Sequence, residues 1–282
     1  MIKLFASDLD GTLLNAFHAT DRTILSAIRR VIDAGAHFAI ATGRTMRSNR
    51  DFGFEGIPVD IVSSNGSIVR DGRNRVVKTF PLEPGALEEL LYAFPGVCFE
   101  CVTPEATYIT GTREERQATF SRDGVLRRIA MRGMRSRERE DPTLRYGQRA
   151  SEILAHGICK INCRVPDAGL KRELGAYLAE RQDVFVNAPF NPVMFEITST
   201  GVDKGSSLAW LAASRGIAED EVAVYGDGGN DIVMLERFGH AYATSNGTDD
   251  AKRAAGTVIG SCLFHAVPRH MVRTVRAERG GA

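Results

Sequence analysis

Ile2-Lys3-Leu4-Phe5-Ala6-Ser7-Asp8-Leu9-Asp10-Gly11-Thr12 is the stretch on which the fold turns. An apolar segment runs straight into two carboxylates and a glycine. A short continuous apolar run that stops at a turn reads as a strand buried on both faces, the kind found in parallel sheets. Further along, Asp21 to Ala34 carries Ile24, Ala27, Ile28, Val31 and Ile32 at helical spacing, with Gly35 as a stop. His37 to Ala41, Ile57 to Ser63 and Val222 to Tyr225 repeat the apolar run ending in polar residues, and His240 to Ala243 fits a fifth strand.

Strands alternating with helical stretches predict an α/β fold, a Rossmann-like parallel sheet with helices on both faces. From about Pro81 to Pro192 the pattern changes. Val97 to Val102 and Ala106 to Thr110 read as a hairpin, followed by a strand from Cys159 to Val165, a helix near Asp167 to Glu180 and a strand from Val184 to Asn187. This predicts an α+β cap inserted into the parallel-sheet domain, with residues 1–81 and 191–282 as catalytic core and 82–190 as insert. Two chain crossings make a natural hinge.

The bulk composition excludes several classes. The chain has 282 residues, 43% apolar and 25% charged, with a formal net charge of +1, so whole-molecule charge draws it to neither nucleic acid nor membrane. No apolar run approaches the ~20 residues that span a bilayer, and the early carboxylate argues against a signal peptide. A cytoplasmic protein, monomer or homodimer, is expected. Five cysteines give no disulfide framework. Cys98/Cys101 and Cys159/Cys163 have zinc-like spacing, but the first pair falls on a strand, where positions three apart face opposite ways. Arg122 to Arg149 is rich in arginine. It reads as a solvated face or as a lid attracting phosphate, and the near absence of aromatic residues there disfavours RNA.

Four polar clusters carry the chemistry, each at the end of a predicted strand or the start of a helix, the edge where open α/β sheets bind ligands. Asp8 and Asp10, two apart on an extended segment, can point the same way and divide the labour between nucleophile and proton shuttle. Gly11 permits a sharp turn that brings backbone N–H groups toward phosphate. Thr42-Gly43-Arg44 offers a hydroxyl and a flexible backbone. Lys204 lies just before the helical stretch Ser206 to Ala213, where the helix dipole disfavours a cation unless an anion is near. Gly226-Asp227-Gly228-Gly229-Asn230-Asp231 sets acids and an amide on a glycine-rich turn, which suits a hard cation. Each cluster alone has a bland reading, as a calcium loop, a capped helix or a surface turn; together they are specific.

The chain resembles the haloacid dehalogenase superfamily of phosphatases, in the Cof-type branch with a large cap between the second and third motifs. The resemblance rests on Asp8-Leu-Asp-Gly-Thr-Leu-Leu14, Ala41-Thr-Gly-Arg44, Ser64-Asn-Gly66, Lys204-Gly205 and Gly226-Asp-x-x-Asn-Asp231, and covers nearly the whole chain. It implies Asp8 as nucleophile and Asp10 as acid/base, with Thr42 and Lys204 completing the catalytic set. It implies phosphate contacts from Leu9, Thr42, Gly43, Lys204 and Asn230. It also implies Mg²⁺ held by Asp8, the Asp10 carbonyl, Asp227 and Asp231, the last directly or through water. Two loops depart from the usual pattern, Ala243 to Thr248 and Gly260 to His265. The expected activity is Mg²⁺-dependent hydrolysis of a small phosphorylated metabolite, a sugar, nucleotide or cofactor phosphate. A phosphomutase or phosphotransferase on the same core, and a non-enzymatic phosphate sensor, are the alternatives.

Overall fold

A computed structural model describes residues 1–120, 141–188 and 193–280. It divides into two compact units, Met1–Phe80 with Gly201–Ala282, and Pro81–Thr200. Along the chain β1 (Leu4–Ser7), β2 (His37–Ala41), β3 (Asp60–Ser63), β4 (Ile68–Arg70) and β5 (Val76–Thr79) open the first unit. The second unit holds β6 (Phe99–Val102), β7 (Thr107–Ile109), β8 (Leu144–Arg145), β9 (Lys160–Arg164), β10 (Phe185–Asn187) and β11 (Met194–Ser199). The chain then returns to the first with β12 (Val222–Gly226), β13 (His240–Thr244) and β14 (Val258–Ile259).

The first sheet has the order β14-β13-β12-β1-β2-β3-β4-β5. It is parallel from β14 to β3, while β4 and β5 extend it as an antiparallel hairpin that the sequence reading did not anticipate. Side chains alternate along each strand, so β1 sends Phe5 to one face and Leu4 and Ala6 to the other. Phe5 joins Ile24, Ile28 and Val31 of the helix Arg22–Asp33, and Val267 and Met271 of the helix Ala266–Gly280. Leu4 and Ala6 join Leu208 and Leu211 of the helix Lys204–Ser214, with Met234 and Ala251 beyond. Both faces of the sheet are therefore covered, which is why its strands read as unbroken apolar runs. Asp21 caps the first helix by accepting from the Thr23 and Ile24 N–H groups at 2.9 and 3.1 Å, a contact worth about 1 kcal/mol.

The second unit is a six-stranded sheet of order β10-β11-β9-β6-β7-β8, antiparallel except for β7 with β8. One face packs Phe99, Cys101, Ile161, Cys163, Phe195 and Ile197 against Leu87, Leu90 and Leu174 from its helices. On the opposite face Lys160 and Glu196 form a buried ion pair of 2.9 Å. Met194–Ser199 pairs with β9 and β10, so the chain stays in the second unit beyond the expected return near Asn191. The alternating apolar residues Phe195 and Ile197 suit either sheet, so local pattern does not mark where the chain returns. Residues 121–140, which hold most of the arginine-rich segment including Arg127, Arg128, Arg135 and Arg137, lie outside the described residues.

Candidate active site

The first sheet runs outward in opposite directions from β1 and β12, so the switch point of its topology lies between these two neighbours. Ligands of open α/β sheets bind at such a point, beyond the carboxyl ends of the strands. Asp8 directly follows β1, and its N–H donates to the Tyr225 carbonyl at 3.0 Å, which extends the pairing with β12 by one residue. Asp227 directly follows β12. The two carboxylates are thus neighbours because their strands are.

After Asp8 the chain makes one wide turn, closed by the Leu14 N–H on the Leu9 carbonyl at 2.9 Å. Gly11 takes φ +75°, and a Cβ there would lie 2.2 Å from Asp227 Oδ2, so no other residue fits. Thr12 Oγ1 donates to Asp227 Oδ1 at 2.7 Å, a brace that the sequence did not reveal. Leu9 turns its side chain into the core, which leaves only its backbone for a ligand.

Lys204 is the first residue of its helix rather than a residue ahead of it, because Asp203 caps that helix by accepting from Ser206 N–H at 2.8 Å. The ammonium, 1% exposed, donates to Asp8 Oδ1 at 2.7 Å and to Asp231 Oδ1 at 2.6 Å. The other Asp231 oxygen, Oδ2, accepts the Asp227 and Gly228 N–H groups at 2.9 Å each, so Asp231 also shapes the glycine-rich turn. Asp8, Asp227 and Asp231 have oxygens within 4.8 Å of one another, and among the described residues they are the only such group of three metal-binding side chains.

Electrostatics follows from this crowding. Burial pushes the Asp8 carboxyl up to about 8; Lys204 opposes the rise, and Asp231 and Asp227 add to it. Burial also pushes Asp227 up to about 6, against the Thr12 bond and with Asp231. Burial alone would discharge Lys204, but Asp231 and Asp8 outweigh it and hold the amine charged well above its ordinary range. One ammonium faces three carboxylates. A hard divalent cation that prefers carboxylate oxygens fits this donor set.

Asp10 points elsewhere. Its carboxylate takes a fork from Arg44, Nε at 2.5 Å and Nη2 at 2.6 Å, and meets His18 Nδ1 at 2.9 Å. Partial burial raises its pKa, but the bonds from Arg44 and His18 dominate and leave it below the usual range. Neither partner was singled out for this role by the sequence. The second loop meets the fourth through Asn65, in a left-handed conformation at φ 55°, whose N–H donates to the Thr42 carbonyl at 3.1 Å and whose Oδ1 accepts from Asn230 Nδ2 at 3.2 Å. A Cβ on Gly43 would come within 2.8 Å of Asn65 Oδ1 and 3.1 Å of Asn230 Nδ2, so Gly43 lies against both amides. Thr42 is buried, and its Oγ1 accepts the Arg44 N–H at 3.1 Å. The structure therefore gathers Asp8, Lys204, Asp227 and Asp231 in one cluster, and Gly43, Asn65 and Asn230 in another joined to it through Asn230-Asp231.

The two departing loops also meet. Asn246 donates to the Gly11 carbonyl at 2.7 Å and accepts from Ser261 Oγ and the Cys262 N–H at 3.1 and 2.9 Å. The cysteine pairs form no metal-type group among the described residues, and burial pushes the Cys98 thiol up to about 11. No helix among those residues is long and apolar enough to cross a membrane.

An open α/β sheet with an acid cluster and a lysine at its switch point is a setting for phosphoryl chemistry. The sequence matches the haloacid dehalogenase-like hydrolase family over residues 5–270. The chain belongs to that family, and it is a phosphatase. It is 24% identical over 270 residues to a 5-amino-6-(5-phospho-D-ribitylamino)uracil phosphatase of Bacillus subtilis, covering 95% of this chain and 94% of that one. It is 26% identical to an HMP-PP phosphatase of Klebsiella pneumoniae, covering 95% and 93%. The structure of a haloacid dehalogenase-like hydrolase from B. subtilis shares the fold, with a TM-score of 0.79, 24% identity and coverage of 96% and 99%.

Proposed function

We propose that the chain hydrolyses a small phosphate monoester through an aspartyl phosphate on Asp8, with Mg²⁺ as cofactor. The observation that carries this reading is a buried Asp8 at the end of β1, bonded to Lys204 and crowded by Asp227 and Asp231. Asp8, Asp227, Asp231 and the Asp10 carbonyl would hold the ion, which when bound offsets the repulsion between a phosphate dianion and a carboxylate nucleophile.

An Asp8 oxygen attacks phosphorus in line, and the P–O bond to the leaving group breaks as the new one forms. Lys204 balances charge beside the attacking oxygen, while the Thr42 hydroxyl, the Gly43 N–H and Asn230 bind and orient the phosphoryl oxygens. Asp10 gives a proton to the departing alkoxide. It then takes one from the water that cleaves the acyl phosphate, which frees Asp8 and inorganic phosphate. Paired with Arg44 and His18, Asp10 is held in its base form. Proton donation in the first half calls for Arg44 to let go, so the same carboxylate serves both halves by changing partner. In this reading the inserted unit Pro81–Thr200 is the part of the chain that would select the ester. The ribitylaminouracil and HMP-PP specificities of the two relatives favour a phosphorylated small metabolite as substrate.

A panel of phosphate esters assayed with Mg²⁺ and with excess chelator tests the proposal, together with rapid quenching and mass spectrometry of the Asp8 peptide. Turnover that needs Mg²⁺ and a phosphoryl group trapped on Asp8 are expected. Full activity in excess EDTA would remove the metal, and turnover with no phosphoryl group on that peptide would remove the intermediate.

A further inference from the structure

A groove of about 860 Å³ lies between the helices Arg22–Asp33 and Ala266–Gly280 of the first unit. It shares no residue with the catalytic set. Arg22, Arg30, Arg269, Arg273 and Arg276 line it, and its lining contains no aspartate or glutamate. All five arginines are exposed, and none has a carboxylate partner among the described residues. Ala27, Pro268 and Val272 give the groove an apolar floor, and Phe264, 68% exposed, stands at its edge.

Five like charges along one groove repel one another, and the repulsion is relieved by a counter-anion. Guanidinium forks suit phosphate oxygens, which they bind in pairs of parallel hydrogen bonds. The volume falls within the range of sites for small molecules, which combine an apolar lining with a few placed charges. A second copy of the chain is a poor occupant, because a two-fold contact would set arginine against arginine. From the charge, the volume and the apolar floor we infer that this groove binds a multiply charged phosphorylated small molecule carrying a flat apolar group. Phe264 offers that group a stacking face, and the arginines take the phosphates. Ser261, also in the lining, donates to Asn246, which in turn holds the Gly11 carbonyl beside Asp227. A ligand in the groove thus touches a loop two hydrogen bonds from the nucleophile's turn.

Calorimetric titration of ADP, inorganic tripolyphosphate and adenosine into the chelator-treated protein tests this site without turnover. ADP is expected to bind one to one, more tightly than tripolyphosphate, with affinity falling as salt rises; adenosine should not bind. Arg30→Ala with Arg273→Ala, and separately Arg22→Ala with Arg276→Ala, should each weaken ADP by about tenfold or more. Both variants should keep the thermal midpoint and the Mg²⁺-dependent hydrolysis of a small test ester within about twofold, since these side chains are exposed and remote from the chemistry. Unchanged ADP affinity in both variants would place ADP in the catalytic site and overturn the inference, as would no binding at all. Equal affinity for tripolyphosphate and ADP would overturn the apolar part. A dimer that the variants dissolve, with no ADP binding, would assign the groove to self-association instead.

Discussion

Each unit buries a lysine to 1% exposure, and the two lysines are placed by different means. Lys160 on β9 meets Glu196 on the adjacent strand β11 diagonally, two residues from Asn162, which faces Glu196 in the register, so the pairing of two neighbouring strands brings the ions together. Lys204 starts a helix and meets Asp8 from β1 and Asp231 from the turn after β12, residues 196 and 27 positions away. Diagonal neighbours on paired strands make a contact that holds a sheet. Groups drawn from remote loops to one strand edge make a site, and there the charge is left uneven, with three carboxylates around one ammonium.

That contrast can be broken in several ways. The largest effect belongs to Asp8→Asn, which keeps shape and removes the proposed nucleophile; turnover should fall by roughly four orders of magnitude or more while circular dichroism is unchanged. A folded variant hydrolysing esters at near-normal rates would end the case for Asp8. Lys204→Met should cost about 10²–10³-fold in kcat/KM. It should also destabilise the chelator-treated protein, a loss that added Mg²⁺ partly restores because the carboxylates regain a counter-charge. Lys160→Met leaves Glu196 buried and should cost about 3–5 kcal/mol in denaturant unfolding, with Mg²⁺ making no difference. If Mg²⁺ rescues both lysine variants alike, the distinction between the two sites fails.

The uneven charge also sets a pH dependence. With folded-state values near 8 for Asp8 and near 6 for Asp227, the folded, metal-free protein holds protons that the unfolded chain releases near pH 4. The unfolded state binds fewer protons across that window, so stability falls as pH rises from about 4 to about 8. Thermal midpoints in EDTA should decline over this range, and Mg²⁺ should flatten the decline. A rising midpoint would mean the carboxyls are already ionised. The smallest effect concerns Asp21→Ala, which removes the cap of the first helix together with the bonds to His265 and Asn15 and should cost about 1–2 kcal/mol by thermal melts, with phosphatase kinetics unchanged.

How much was legible in the sequence depended on how far apart the partners lie. The α/β class followed from unbroken apolar runs, since Phe5 and Leu4 serve opposite faces of one buried sheet. The loops that converge were visible because each follows a strand. Their internal contacts were not. Arg44 reaching Asp10, Thr12 reaching Asp227 and Asn65 meeting Asn230 are loop-to-loop bonds, the last across 165 residues, and no local pattern encodes them. The hairpin β4–β5 leaves no local pattern, because its strands have three and four residues and Val76 and Val77 are exposed, so the alternation that marks a half-buried strand is missing. The helix begins at Lys204, two residues ahead of the apolar stretch that marks it in the sequence, because Asp203 caps it.

The pairing of β1 with β12 joins Leu4 to Val222, while the second unit lies as one continuous stretch between them. On the ribosome Asp8 is therefore made before the second unit, while the strand that lies beside it and the loop bearing Asp227 emerge only after that unit. The second unit can collapse on local contacts, whereas the central pair of the first must wait for a long-range closure, the slow kind of folding event. Until that closure, β1 is an apolar strand with one bare edge, a surface on which nascent chains aggregate. The strand that ends this vulnerability leads directly into the loop bearing Asp227, so a truncation before Val222 yields neither the acid cluster nor a protected strand.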